Sequence, residues 1–272
     1  MSLKGKRVAL LEARMSAELA AMVERFGGLA YSVPAVRETP IELPEETAAF
    51  VDALCAGRFA IVIFMTGAGA SALLREADKR GQLEAALAAL RSATTVCRGP
   101  KPVAVLRRQD VQVNITAAEP HTTAEVLQAL ENVELHGKAL ALVHYGERNE
   151  TIAEGLQARG ALLTEICLYE WRLPEDVAPL TRLVGEIVDG RIDAITITSQ
   201  IQIRHLFQIA ERLGQSSALT DALNRKVVVA AVGPVCATAL RSFGVIPHVQ
   251  PAHPKMGPML RALADYFDLT AR

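Results

Sequence analysis

Aromatic side chains are scarce in this sequence: seven Phe, four Tyr and one Trp, 4% of 272 residues. A chain so poor in rings lacks the stacking surfaces on which single-stranded nucleic acids are bound. An excess of either charge is also missing, since 29 basic and 30 acidic residues leave a net charge of -1. The two signs are interspersed, so no basic tail or stripe points to duplex binding. No apolar run reaches the roughly 20 residues that span a bilayer. The start, MSLKGKRVALLEARM, runs into a strand pattern without an apolar leader segment or cleavage site. Four cysteines, Cys55, Cys97, Cys167 and Cys236, are widely spaced and form no CxxC pair. They read as free thiols of a reducing compartment, which predicts a cytoplasmic protein. The six histidines show no HxH or HExxH spacing, so no metal site is expected, and no GxSxG nucleophile motif is present.

What is abundant is apolar material, 50% of the chain, in strand-like runs that alternate with helix-like ones. The length exceeds that of a usual single core and favours two domains. Arg7–Glu12, a helix over Ser16–Phe26 and a strand from Leu29 to Val33 form a first βαβ unit, followed by an extended stretch, VRETPIELPEE. A second unit contains a helix over Glu45–Ala56, the strand FAIVIFM (Phe59–Met65) and helices near Ser71–Lys79 and Gln82–Arg91. It continues with a strand over Thr94–Cys97, a helix to about Arg108, a strand over Val111–Ile115 and a helix over Thr123–Leu130. A third unit, Lys138–Leu168, repeats the first and ends in a second extended stretch, YEWRLPED. The fourth repeats the second: strand Ala194–Thr198, helix Ile201–Leu213, strand Lys226–Ala231, helix Val235–Phe243, strand Val245–Val249 and helix Met256–Tyr266.

The repeat has a measurable register. RGPKPVAVLR (Arg98–Arg107) parallels VGPVCATALR (Val232–Arg241) without a gap. From the glycine to the last leucine of the following helix is 31 residues in one copy (Gly99 to Leu130) and 30 in the other (Gly233 to Leu263). Such alternation predicts parallel sheets covered by helices on both faces, with ligands bound beyond the carboxyl ends of the strands. Those ends carry Arg14, Thr66, Arg98 with Gly99, Gly146, Ser199 and Gly233, and the expected site lies between the two lobes.

Gly67-x-Gly69-x-x-Ala72 has the outline of a dinucleotide turn. The next strand, however, ends in TTVCRG without the acid that would bind a ribose, and the matching TSQIQIR has no glycine. A nicotinamide site is therefore not expected. The paired Gly-Pro turns place proline early in a helix, where its missing N–H costs nothing. Each is an ordinary strand-to-helix turn on its own, but as a pair they offer free amides and positive dipole ends to an anion. Arg98, Lys101, Arg107 and Arg108 cluster near the first turn, a pattern usual for a solvated helix face, while Arg14 is better placed for a carboxylate. A helix-start position could lower the pKa of Cys236, although a small residue in a packed turn is the commoner arrangement. Tyr169 and Trp171 lie in the second extended stretch, where a phenol either packs or donates a proton.

RVALLEAR with Arg14, FMTGAGASALL, ARGALLTEICLYEW ending on Tyr169, ITITSQ, and VGPVCATALRSFGVIPHVQP together resemble the uroporphyrinogen-III synthases over nearly the whole length. The resemblance implies two similar Rossmann-like α/β lobes joined by a two-stranded linker. One lobe combines residues 1–35 with 175–272, the other is 44–166, and the linkers are 36–43 and 167–174. It implies a cofactor-independent enzyme, acting as a monomer, that closes hydroxymethylbilane with inversion of ring D and loss of water. Tyr169 would then assist departure of the hydroxyl. The substrate carboxylates would meet Arg14, Thr66, Gly67, Arg98, Gly99, Lys101, Thr198, Ser199, Gln200, Gly233, Val235 and Cys236. The family often has threonine just after the last Gly-Pro, where this chain has Val235-Cys236. That departure keeps open an alternative, a non-catalytic tetrapyrrole-binding or regulatory module of the same fold.

Overall fold

The computed structural model describes residues 2–41, 44–144 and 146–270, apart from the side chain of Pro44. The end of the first expected linker, residues 42 and 43, lies outside the described residues. In chain order the first elements are β1 (Arg7–Leu10), α1 (Ser16–Arg25), β2 (Leu29–Ser32) and β3 (Arg37–Pro40). Then come α2 (Pro44–Cys55), β4 (Ile61–Phe64), α3 (Gly67–Lys79), α4 (Leu83–Ser92), β5 (Thr94–Cys97) and α5 (Pro100–Arg107). The chain continues through β6 (Ile115–Thr116), α6 (Thr123–Ala129), β7 (Ala139–Val143), α7 (Glu150–Gln157), β8 (Leu162–Ile166) and β9 (Tyr169–Arg172). It ends with α8 (Ala178–Val188), β10 (Ala194–Ile197), α9 (Gln200–Arg212), α10 (Ser216–Arg225), β11 (Val228–Ala231), α11 (Pro234–Ser242) and α12 (Met256–Thr270).

These elements form two compact units, Met1–Arg37 with Arg172–Arg272, and Glu38–Trp171. The second unit holds a five-stranded sheet in the order β6-β5-β4-β7-β8, every neighbouring pair parallel. Numbered from β4, that order is 3-2-1-4-5, a doubly wound sheet whose direction of progression reverses between β4 and β7. In the first unit the order is β11-β10-β1-β2, again all parallel. Val249 adds an isolated parallel bridge to Ala230 beyond β11. The two sheets therefore have the same plan, with β10 and β1 standing where β4 and β7 stand. β3 and β9 pair separately as a two-stranded sheet, at the two points where the chain passes from one unit to the other.

Why the central strands read as unbroken apolar runs is plain from their burial. All four residues of β4 are buried, with Val62 and Phe64 in one core cluster and Ile61 and Ile63 in the other. Ala9 and Val8 of β1 likewise point into different clusters. A parallel strand covered on both faces has no polar side to alternate. Burial of each such Ile, Leu or Phe contributes about 1.5–3 kcal/mol.

Two expected strands are shorter than their patterns. Over Val111–Ile115 only Ile115 enters the ladder, because side chains take over the hydrogen bonds before it: Thr95 N–H donates to Asn114 Oδ1 (2.7 Å) and Thr95 Oγ1–H to the Gln112 carbonyl (2.7 Å). Val245–Val249 is reduced to the bridge at Val249, since Val229 N–H donates to His248 Nδ1 (3.1 Å) instead of to a strand carbonyl. The helix expected from Ser71 begins at Gly67, one turn earlier. Periodicity also passes over α8 and α10. The first of these has Gly185 in its interior, and the second buries only Leu219, Ala222 and Leu223.

Candidate functional site

At the carboxyl edge of the five-stranded sheet, β4 runs through Met65 into Thr66, the N-cap of α3. Its extended backbone (φ -147°, ψ 157°) lets the hydroxyl oxygen accept the Gly69 amide at 3.0 Å. Gly67 and Gly69 are required by close approach rather than by a dinucleotide turn. A Cβ on Gly67 would lie 3.1 Å from the backbone of Lys101, and one on Gly69 2.9 Å from the carbonyl oxygen of His144. Thus α3 packs on the start of α5 and on the end of β7 without intervening side chains.

Tyr169, first residue of β9 and only 6% exposed, brings its phenol oxygen 2.8 Å from Thr66 Oγ1. The Cys167 thiol donates to the Tyr169 carbonyl at 3.1 Å, and burial raises its pKa. Trp171 stands edge-on to Tyr169, ring centroids 6.1 Å apart, and lies against Gly146 in the turn after β7. Gly146 has φ +69°, and a Cβ there would fall 2.5 Å from the indole.

His144, the residue after β7, is fully buried. Its Nδ1 accepts the Asn149 amide (3.3 Å), which leaves the proton on Nε2 to be donated to Glu165 Oε2 (2.6 Å). Its pKa is lowered, first by burial and further by Arg148, with Glu165 opposing. Sequence reasoning gave this histidine no role, and only the spatial partners, 5 and 21 residues away, mark it.

The first Gly-Pro turn also sits at this edge. Gly99 is the extended N-cap of α5 with proline in the first turn, and a Cβ there would meet the His121 ring at 3.2 Å. Lys101 is exposed in that first turn, and Arg98 is half-buried at the end of β5. Arg107 and Arg108, by contrast, are at the far end of α5. Thr66, Gly67, Arg98, Gly99, Lys101 and Tyr169 therefore share one sheet edge. The helix N-termini there present free amides and the positive end of a dipole.

The first unit has an edge of the same plan. Ser199 is the N-cap of α9, as Thr66 is of α3. Gln202 reaches back so that its Oε1 accepts the amides of Thr198 (2.8 Å) and Ser199 (3.2 Å), while its Nε2 donates to Thr198 Oγ1 (2.8 Å). Thr198 Oγ1–H donates to Glu12 Oε2, and Glu12 Oε1 accepts the Arg14 amide at 3.2 Å. This carboxylate was not among the expected site residues, though its place after β1 could have suggested it. Gly233 caps α11 in an extended conformation, and a Cβ there would meet Pro254 at 2.8 Å. Val235 is 43% exposed, but Cys236 is packed into the core and burial pushes its thiol up to about 12. The lowered pKa that its helix-start position could have given does not arise. The Cys236 side chain is thus turned into the core. Among the described residues no group of three or more His, Cys, Asp or Glu is placed to hold a metal ion, and no helix is long and apolar enough to cross a membrane.

Two Rossmann-like sheets of one plan, linked by a two-stranded ribbon and each presenting capped helix N-termini at its reversal point, define a twin-lobed α/β protein. Within that class the chain belongs to the uroporphyrinogen-III synthase family. The family model described as uroporphyrinogen-III synthase HemD matches residues 17–261. The uroporphyrinogen III synthase of the extremely thermophilic bacterium Thermus thermophilus, in a mutant crystal form, superposes with a TM-score of 0.76 at 26% identity, over 97% of this chain and 99% of that one. The Helicobacter pylori uroporphyrinogen-III synthetase shares the fold (TM-score 0.59, 13% identity, 98% and 100% covered). A Methanothermobacter thermautotrophicus relative provisionally named a uroporphyrinogen-III synthase is 29% identical over 254 residues, 92% of this chain and 93% of its own. Uncharacterized protein YjjA of Bacillus subtilis is 29% identical over 266 residues, 98% and 97%.

Proposed function

We propose that the protein is a uroporphyrinogen-III synthase that closes hydroxymethylbilane into uroporphyrinogen III with inversion of ring D and loss of water. Tyr169 gives its phenol proton to the departing hydroxyl. The C–O bond breaks, water leaves, and a cationic azafulvene is joined to the distal pyrrole through a spiro intermediate. The proton lost when the macrocycle rearomatises restores the phenol, so the cycle requires no cofactor. Because unassisted closure yields the uninverted isomer, holding the two ends of the chain is the principal contribution. Substrate carboxylates are taken by the amides of Thr66, Gly67, Gln200, Gly233, Val235 and Cys236, with Arg14, Arg98, Gly99, Lys101, Thr198 and Ser199 beside them, the Ser199 amide itself being held by Gln202.

The observation that carries this reading is the phenol of Tyr169 set 2.8 Å from the helix-capping hydroxyl of Thr66, at the carboxyl edge of a sheet whose helix N-termini suit carboxylates. The four free cysteines fit a reducing cytoplasm, and a single chain is the working unit of the reading. Incubation with fresh hydroxymethylbilane is expected to give the type III isomer, and type I alone would overturn the proposal. A non-catalytic tetrapyrrole-binding module is favoured by one feature, the lack of a hydroxyl at Val235-Cys236. It predicts tight binding of the linear tetrapyrrole without turnover.

A further inference from the structure

We infer that Thr66 is a positioning residue for the proton on Tyr169, rather than chiefly a ligand for substrate carboxylates; this rests on the function proposed above. A threonine hydroxyl has one proton and two lone pairs. The Gly69 amide, at 3.0 Å, occupies one lone pair as the N-cap of α3. The proton and the second lone pair remain for the Tyr169 oxygen at 2.8 Å. Accepting a backbone N–H polarises the hydroxyl, making it a better donor and a poorer second acceptor. The cap therefore selects the arrangement in which Thr66 Oγ1–H donates to the Tyr169 oxygen. The phenol proton then points away from Thr66 and can be given to the leaving hydroxyl.

The same geometry stabilises what remains after the transfer. As the proton passes to the departing hydroxyl and water forms, negative charge grows on the phenol oxygen. That oxygen already holds a donor, and the donor is fixed at the positive end of a 13-residue helix. Any other side-chain rotamer of Thr66 would carry its oxygen away from Gly69, so the cap fixes where that oxygen stands. Gly69 in turn admits no side chain, because the His144 carbonyl stands 2.9 Å from where its Cβ would be. Thr66, Gly69 and Tyr169 thus form one rigid relay from the helix end to the reacting proton.

Three substitutions at Thr66, each measured alone and in a Tyr169→Phe background, test the inference. A hydrogen bond to a developing charge predicts a fall in kcat of about 10- to 100-fold for Thr66→Val, with KM changed less than about threefold. Thr66→Ser should recover most of the rate, since it keeps both the cap and the proton. Thr66→Asp also caps α3 and protects the fold, but an ionised carboxylate has no proton to donate, so its kcat at saturating substrate should fall like that of the valine variant. In the Tyr169→Phe background the Val change should cost almost nothing more. A wild-type kcat in Thr66→Asp, or losses at Thr66 and Tyr169 that multiply independently, would overturn the relay. If instead the unaltered protein forms no type III isomer, it is the proposed function that fails.

Discussion

Replacing Gln202 with Met isolates the contribution of one buried amide to the edge of the first unit. Gln202 is 3% exposed, and its side chain makes three hydrogen bonds: two accepted from the Thr198 and Ser199 amides and one donated to Thr198 Oγ1. Methionine fills nearly the same volume and makes none of them. Leaving a buried donor without an acceptor costs about 1–3 kcal/mol, and loss of a helix cap about 1 kcal/mol. Thr198 and Ser199 are themselves only half-buried, so water can recover part of this. The expected loss is therefore about 2–3 kcal/mol, or a fall in Tm of roughly 4–12 °C for a unit of this size. Gln202→Glu is the comparison: it keeps the one oxygen that accepts both amides but turns the donor to Thr198 Oγ1 into an acceptor facing Glu12, so it should retain the cap of α9 and lose less than the Met variant. Denaturant unfolding gives the totals, and amide exchange at Thr198, Ser199 and the first turn of α9 locates the change. Equal stability of the Met and wild-type proteins would refute the assignment of these bonds as the cap of α9.

Other outcomes follow from the same physical arguments. Gly146→Ala brings a Cβ to 2.5 Å from the Trp171 indole at a φ of +69°, and should destabilise the second unit by about 2–4 kcal/mol, read from thermal unfolding. Burial lowers the pKa of both His144 and His205 from the ordinary 6.5. Protons consequently bind the unfolded chain more readily, and the stability these residues leave intact above about pH 6.5 is lost as pH falls below it. The loss is at most about 1.4 kcal/mol per pH unit for each histidine. Urea melts between about pH 7.5 and 5.5 should show this slope, and His144→Asn with His205→Asn should flatten it; an unaltered slope would remove both residues from the account.

The fold class was legible because the apolar runs of β1, β4, β7 and β10 and the Gly-Pro starts of α5 and α11 are local chemistry. A doubly covered strand needs apolar residues on both faces, and a helix entered from a strand accepts proline in its first turn. The patterns over Val111–Ile115 and Val245–Val249 misled because Asn114 and His248 substitute side-chain atoms for ladder partners, which no hydrophobic period reveals. Of the candidate site, the residue types at strand ends could be read from the sequence, but not the bonds between them.

What the sequence determined by itself was the set of parts: two copies of a βαβ pattern and two of a longer strand-and-helix pattern, with their turns, caps and strand-end residues. It left their assembly open, since β1 and β7 carry equivalent patterns and either could satisfy β4 or β10. Tertiary structure decided that β1 pairs with β10 and β7 with β4, because edge hydrogen bonds and burial on both faces are realised only in the assembled sheet. It likewise decided that Thr66 meets Tyr169 across 103 residues of chain and that Glu12 meets Thr198 across 186, contacts set by where strand ends converge and not by any spacing along the chain.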